Sequence, residues 1–339
     1  MLIIADLESE AQAVTVAERI RLAILKPYMI RGMQCSVGVS IGICIFPDGA
    51  GNADELVTCA DMAMYEAKNK GKNTYRFFDP ELKIATERKI KIDNALKHAI
   101  EKNELHLRFQ PKVRLGDSKL VGAEALLRWE NAELGTFAPD EFIAQAETNG
   151  LICEMDEWVL KTVINYLASW DPKLVQPPKI AINFSATQAA RPNLADTITR
   201  IAAGRTDILQ QLEIEITETS AFDNLANVEN NIRSMRALGI SVAMDDFGAG
   251  HSSLTLLTRC DIDTLKIDKE VTQGIKTDAR SKEIVRSIIE HATKLNVNTV
   301  AEGIEDKAQA AALASMDCDF GQGYFYSCLL YTSPSPRDS

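Results

Sequence analysis

The chain has 339 residues, 46% of them hydrophobic, and a formal charge of -11 at pH 7. That length accommodates two domains, and the apolar share is that of an ordinary globular protein. The acidic excess excludes nonspecific binding to nucleic-acid polymers, which needs a basic face, but it leaves room for a small phosphate ligand bridged by cations.

No apolar stretch is long enough to cross a bilayer, and the start lacks a signal-peptide pattern. The expectation is a cytoplasmic protein with no membrane contact from this stretch, although an upstream part of a longer parent could carry a tether. Seven scattered cysteines with no C-x-x-C pair fit a reducing compartment and structural thiols. Four histidines without ligand spacing make any metal here a hard one, held by oxygen.

In chain order, Met1 to Ala5 reads as a short strand and residues 9–26 as a helix with Ala13, Val16, Ile20 and Ile24 on one stripe. Cys35 to Phe46 alternates as a strand before the turn at Pro47-Asp48-Gly49. Residues 53–70 are helical again, closed by Gly71, and Tyr75 to Phe78 is a last strand. Residues 1–78 form one unit, too small in buried surface for a robust independent fold. Residues 79–90 are charged and begin Asp79-Pro80, as a linker entering a helix does.

From residue 105 the pattern alternates. Strands fall at 105–113, 120–128, 179–184, 212–217, 240–245, 263–267, 297–301 and 320–326. Helices fall at 140–149, 154–170, 194–203, 225–238, 252–258, 279–295 and 306–315. Repeated βα units over this span predict an α/β fold, a TIM-type (β/α)8 barrel. Parity agrees. Ile180, Ile182 and Phe184 share one face and oppose Asn183; Ile214 and Ile216 oppose Glu213, Glu215 and Thr217; Leu265 and Ile267 oppose Lys266. A barrel strand packs one face on helices and turns the other inward, so the polar set faces the interior near the strand ends.

The strand ends carry the chemistry. Glu124, Asn183, Glu215, the pair Asp245-Asp246 and Glu302 stand where strands should stop, with Lys266 in the same kind of place. So many acids at one surface cannot all stay charged without cations, which predicts divalent metals and an anionic substrate. Adjacent residues on a regular strand point oppositely, so Asp245 and Asp246 share a site only if the chain turns there; Gly248 and Gly250 supply that turn. Taken singly each residue has a blander reading. Glu124 could pair with Arg128, Asn183 could cap a turn, Lys266 could snorkel, and Gln110, Arg128 and Gln322 could be structural.

The run Glu124-Ala-Leu-Leu-Arg128 resembles the signature of EAL-domain cyclic di-GMP phosphodiesterases. I-N-F-S, E-I-T-E, D-D-F-G-A-G-H-S-S-L, L-K-I-D, A-E-G and G-Q-G-Y follow it in the family's order over about residues 90–327. Residues 1–78 resemble the C-terminal half of a GGDEF domain, from V-G-V-S-I-G-I through A-D-M-A-M-Y-E-A-K to N-T-Y-R-F-F, without the G-G-D-E-F signature that binds GTP; a cyclase reading fails on that ground.

The resemblance implies hydrolysis of cyclic di-GMP to linear pGpG with two ions of Mg²⁺ or Mn²⁺. Glu124, Asn183, Glu215 and Asp245 would hold the first ion, and Asp245, Asp246 and Glu302 the second. Lys266 would contact the attacking water and offset the acids, so Lys266, Glu302 and Glu124 carry catalysis. Gln110, Arg128 and Gln322 would contact the substrate, Arg128 through a phosphate, and Glu218 would anchor the loop Phe247–Ser253. A two-metal site suits this task because it activates water and steadies both the attacking and the leaving oxygen. A homodimer through that loop is implied as well. His251 stands where the family usually has tyrosine, and Ala249 where it usually has threonine, which touches loop packing and dimerisation. The alternative is a catalytically silent cyclic di-GMP receptor or interaction module; silent members are expected to lose ligand acids, and this chain keeps them all. The expected organisation is a partial GGDEF-like unit at 1–78, a linker at 79–90, the barrel at 91–327 and an atypical Ser- and Pro-rich tail at 328–339, where the family has a closing helix.

Overall fold

A computed structural model of the chain describes residues 1–7, 9–69, 71–170, 178–219, 224–248, 254–327 and 330–331. It divides into two compact units, Met1–Asn94 and Ala95–Ser339. No helix among the described residues is long and apolar enough to cross a membrane.

In the first unit β1 (Tyr28–Ile30) and β2 (Met33–Cys35) form an antiparallel hairpin, and β3 (Ile41–Ile43) pairs in parallel with β4 (Tyr75–Phe77). Helices run over Glu10–Ile24 and Ala53–Asn69. The second helix lies so close on β3 that a Cβ at Gly42 would sit 1.9 Å from the Ala60 carbonyl oxygen; only glycine fits there. Two expectations change. Met1 to Ala5 joins no ladder, and Met1, Leu2 and Ile3 face solvent; apolar alternation makes a strand only where a neighbour can take its backbone groups. The stretch Cys35 to Phe46 breaks into β2 and β3, which pair with different partners. The helix after Asp79 begins at once, at Pro80, and runs to Leu96. Proline is favoured in a first turn, where its missing N–H costs nothing.

The second unit is a closed barrel. Its strands are β5 (Leu105–Arg114), β6 (Leu120–Asn131), β8 (Lys179–Asn183), β9 (Leu212–Thr217), β10 (Ser241–Phe247), β11 (Thr264–Ile267), β12 (Asn298–Ala301) and β13 (Phe320–Gly321). Strand β5 pairs with both β6 and β13 and so closes the ring. From β6 to β13 each pair of neighbours is parallel, whereas β5 is antiparallel to β6 and to β13. The sign of this was the missing helix between 114 and 120: a short turn can reverse a strand, but it cannot make a parallel crossover. Two short strands extend the sheet, β7 (Gly135–Phe137) beside β6 and β14 (Leu330–Tyr331) beside β5. The rest of the 328–339 tail lies outside the described residues.

The outward faces are apolar as parity required. Ile180, Ile182, Ile214, Ile216, Val242, Met244, Leu265 and Ile267 are all buried in one core with Val159, Leu160, Val163 and Ile164 of helix Ile152–Ala168, Ile232 and Met235 of helix Leu225–Ala237, and Ile288 and Ile289 of helix Ala279–Lys294. The helix expected at 252–258 is described from Leu254 to Arg259. Short helices at Ala186–Ala189 and Lys269–Gly274 and a 3-10 turn at Thr206–Gln211 were not anticipated. The last strand is shorter than 320–326. After Gly321 the chain turns over Ile304, and a Cβ on Gly323 (φ 155°) would meet the Ile304 carbonyl at 2.2 Å. That early exit leaves Gln322 at the strand end.

Candidate functional site

Lys266, on β11, is the hub. Only 1% exposed, it faces the barrel interior with its Nζ 2.5 Å from Glu215 Oε2, 2.8 Å from Glu302 Oε1, 3.0 Å from Asp245 Oδ2 and 3.4 Å from Glu124 Oε2. These four acids come from β9, the residue after β12, β10 and β6. Two amides join them. Asn183 at the end of β8 donates its Nδ2 to Glu124 Oε1 at 2.6 Å, and Gln322 donates its Nε2 to Glu124 Oε2 and Glu302 Oε1, both at 2.8 Å. Backbone bonds seat the last two elements: Glu302 N donates to Ile267 O, and Gln322 N donates to Ala301 O.

The turn that brings in Asp246 occurs on that residue. Its φ is 55°, the β10–β11 register shifts between Met244 and Phe247, and its N–H donates to Asp245 Oδ1 at 2.9 Å. Aspartate tolerates the left-handed region better than most residues do. The glycines expected to make this turn come after it: Gly248 follows with φ 101°, and Gly250 lies outside the described residues. Asp245, Asp246 and Glu302 each offer an oxygen within 4.8 Å of the other two.

Gln110 and Arg128 lie on the same face of the β5–β6 hairpin as Glu124, Gln110 level with it and Arg128 four residues farther along β6. Gln110 is directly opposite Glu124, and Arg128 is opposite His106. Arg128 is half-buried, and its Nη1 donates to Leu127 O at 2.7 Å. Glu218 is buried just past β9. Of the loop it was expected to anchor, residues 249–253 lie outside the described residues, with Ala249 and His251 among them.

Charge is badly out of balance here. Burial works against the Lys266 ammonium, but Asp245, Glu124, Glu215 and Glu302 outweigh it and raise its pKa well above the usual lysine value. Burial would also raise Glu124, yet Lys266 and the amides of Gln322 and Asn183 prevail and hold its carboxyl below the ordinary range. The other acids go the opposite way. Burial and then the Glu124 charge push Glu215 well up; burial, partly offset by Lys266, lifts Glu302 to about 7; partial desolvation and Asp245 raise Asp246. One ammonium cannot neutralise this set, so it must take up protons or cations.

The donors fit a hard divalent cation. They are all oxygens or amide carbonyls, and Glu215 Oε1 is fully buried without a hydrogen-bond partner. Two more inward residues meet here: Glu213, which parity placed inward without a role, and Lys112, which was not named. Lys112 on β5 pairs with Glu213 on β9, directly beneath the hub. Lys112 shares its alternation with Gln110, so parity alone could have set it on the inward face beside Glu213.

Comparisons with known proteins place this arrangement. Residues 93–328 match the model of the EAL domain, and residues 1–74 that of the diguanylate cyclase GGDEF domain. Cyclic di-GMP phosphodiesterase NbdA of Pseudomonas aeruginosa is 31% identical over 96% of this chain and 42% of its own length. The bifunctional diguanylate cyclase/cyclic di-GMP phosphodiesterase MucR of the same organism is 33% identical over 93% of this chain and 46% of its own. The chain thus spans less than half the length of these relatives. The solved structure of the PaMucR phosphodiesterase in complex with c-di-GMP superposes with a TM-score of 0.67 at 32% identity, over 71% of this chain and 97% of that one. With its family match covering most of the length, the chain belongs to the EAL domain family.

Proposed function

We propose that residues 93–328 hydrolyse cyclic di-GMP to linear pGpG with the help of two divalent cations, Mg²⁺ or Mn²⁺. The observation that carries this reading is the convergence of Glu124, Glu215, Asp245 and Glu302 on the single Lys266 ammonium at one end of the barrel. The relatives' names and the c-di-GMP complex of PaMucR support the choice of substrate.

Glu124, Asn183, Glu215, Asp245, Asp246 and Glu302 would hold the cations. When bound, these supply Lewis-acid charge at the phosphate and lower the pKa of water. The chain's own part is to place and balance charge. Lys266 offsets the carboxylates and contacts the attacking water, and Glu302 and Glu124 fix its surroundings. Arg128 takes a phosphate of the dinucleotide, while Gln110 and Gln322 line the ring beside it. Water oxygen bonds to phosphorus as the P–O3′ bond breaks; one water proton passes to the departing 3′-oxygen, which ends as a hydroxyl, and the other stays with the new 5′-phosphate. Glu218 holds the loop that begins at Phe247. On this reading residues 1–78, without a G-G-D-E-F sequence, are non-catalytic, two copies of the chain pair, and the protein works in the cytoplasm on an intracellular messenger.

The test is direct. Purified protein with Mn²⁺ should convert cyclic di-GMP to pGpG, followed by chromatography, and EDTA should stop it. Micromolar binding of cyclic di-GMP without product, with either metal, overturns hydrolysis in favour of a receptor.

A further inference from the structure

Beneath the Lys266 hub lies a second buried cluster. The Lys112 ammonium pairs with Glu213 Oε1, and Thr264 donates its Oγ1 to Glu213 Oε2 at 2.9 Å. Lys112 and Glu213 are 7% and 4% exposed. All three residues line a cavity of about 180 Å³ in the lower barrel, together with Gly122, Lys179 and Asn298. Most barrels of this kind fill that space with branched apolar side chains; here Lys112, Glu213 and Lys179 share it with Val121, Val300 and Phe320.

The cluster bears on Glu215. Of that residue's two oxygens, Oε2 is taken by Lys266, while Oε1 is buried without a hydrogen bond. Beside Lys266, which holds Oε2, Lys112 faces Oε1 with its Nζ 3.9 Å away, inside ion-pair range but too far to donate. A lysine side chain is long and pivots about several bonds, so a small shift would bring this one from 3.9 Å to within donating distance of Glu215 Oε1. What keeps it off Glu215 is its tighter bond to Glu213, which Thr264 fixes in turn. We propose that Glu213 is a positioning residue: it holds the Lys112 ammonium back from Glu215, so that Glu215 Oε1 stays open to a cation. This rests on the reading that Glu215 holds a divalent ion, and it explains why a buried acid two residues below that ligand carries its own counter-ion.

Mn²⁺ binding, followed by EPR titration with Tm measured alongside, tests it. Hydrolysis and Mn²⁺ binding by the unmodified protein test the underlying reading separately. Glu213→Gln frees Lys112 to close on Glu215 and should weaken Mn²⁺ binding about tenfold or more, the scale on which residues supporting a metal ligand are felt. Adding Lys112→Met to that variant removes the competitor and should bring Mn²⁺ affinity back to within about threefold, whatever happens to Tm. Lys112→Met alone should leave Mn²⁺ affinity nearly unchanged. Should Glu213→Gln fail to fold, Thr264→Val loosens Glu213 by one hydrogen bond and should show the same loss and rescue on a smaller scale. The proposal is overturned if Glu213→Gln (or its substitute) binds Mn²⁺ normally, or if the double variant stays as weak as the single. It is equally overturned if Lys112→Met alone tightens Mn²⁺ binding as much as Glu213→Gln weakens it, since the effect is then one of net charge and not of position.

Discussion

The barrel interior holds two buried lysine–carboxylate layers, and they differ in balance. In the lower layer one ammonium, Lys112, pairs with one carboxylate, Glu213, and a threonine hydroxyl completes the set. In the upper layer one ammonium, Lys266, touches four carboxylates, and a fifth, Asp246, stands beside them. The titration behaviour follows. Glu213 is held below the ordinary carboxylate range because Lys112 and Thr264 outweigh its burial, whereas Glu215, two residues along the same strand, is pushed well above it. Glu213 and Glu215 are both buried, so it is the ratio of acids to bases around them that sets the two apart and leaves the upper layer short of positive charge.

Breaking the upper layer should have the largest consequence. Glu124 touches Asn183, Lys266 and Gln322, which makes it the acid most tied to its neighbours. Glu124→Ala should cut hydrolysis at least about a thousandfold, the upper range for loss of one charge-stabilising group; a rate within tenfold of the unmodified protein would remove Glu124 from the site. Lys266→Ala comes next. It should lower kcat about a hundredfold while cyclic di-GMP affinity falls far less, because a group that acts on the attacking water matters mainly in the transition state. Equal losses in both would show that it only holds the acids in place. The same variant should lose Tm, and Mn²⁺ should restore part of it by supplying the missing positive charge.

Much of this contrast was legible in the sequence, and the gaps have physical causes. Two-residue alternation set Asn183, Glu215 and Lys266 on the inward face while Ile180, Ile214 and Leu265 went outward, and all of them lie so. Alternation is a local signal and says nothing of which strands become neighbours. Lys112 therefore gave no sign that it would meet Glu213, 101 residues away in the chain. The turn at Asp245-Asp246 was anticipated, but it was assigned to the glycines, because a left-handed aspartate is fixed by the β10–β11 register shift and not by residue type alone. Met1 to Ala5 looked like a strand for the opposite reason: its pattern suits a sheet, but among the described residues no strand pairs with it.

Asp156 sharpens the comparison from a third position, a buried carboxylate whose partners are neutral. It sits on helix Ile152–Ala168 and accepts from Ser185 Oγ at 2.6 Å and Ser185 N at 3.2 Å, just past Asn183. Burial pushes it to about 7, against an ordinary 3.8, and the Ser185 bonds only partly oppose this. The folded protein thus keeps a proton here that the unfolded chain releases near pH 4. Between those two values the native state binds more protons, so this group's contribution to stability falls as pH rises through that window, the reverse of a salt-bridged acid. Asp156→Asn keeps an acceptor for Ser185 and cannot ionise. Urea unfolding in EDTA at pH 5 and pH 7.5 should show a smaller loss of stability with rising pH for the variant than for the unmodified protein. Glu215 and Glu302 tilt both proteins in the same direction, so the difference between the two slopes isolates Asp156; parallel slopes would mean that it is already ionised in the folded state at pH 5.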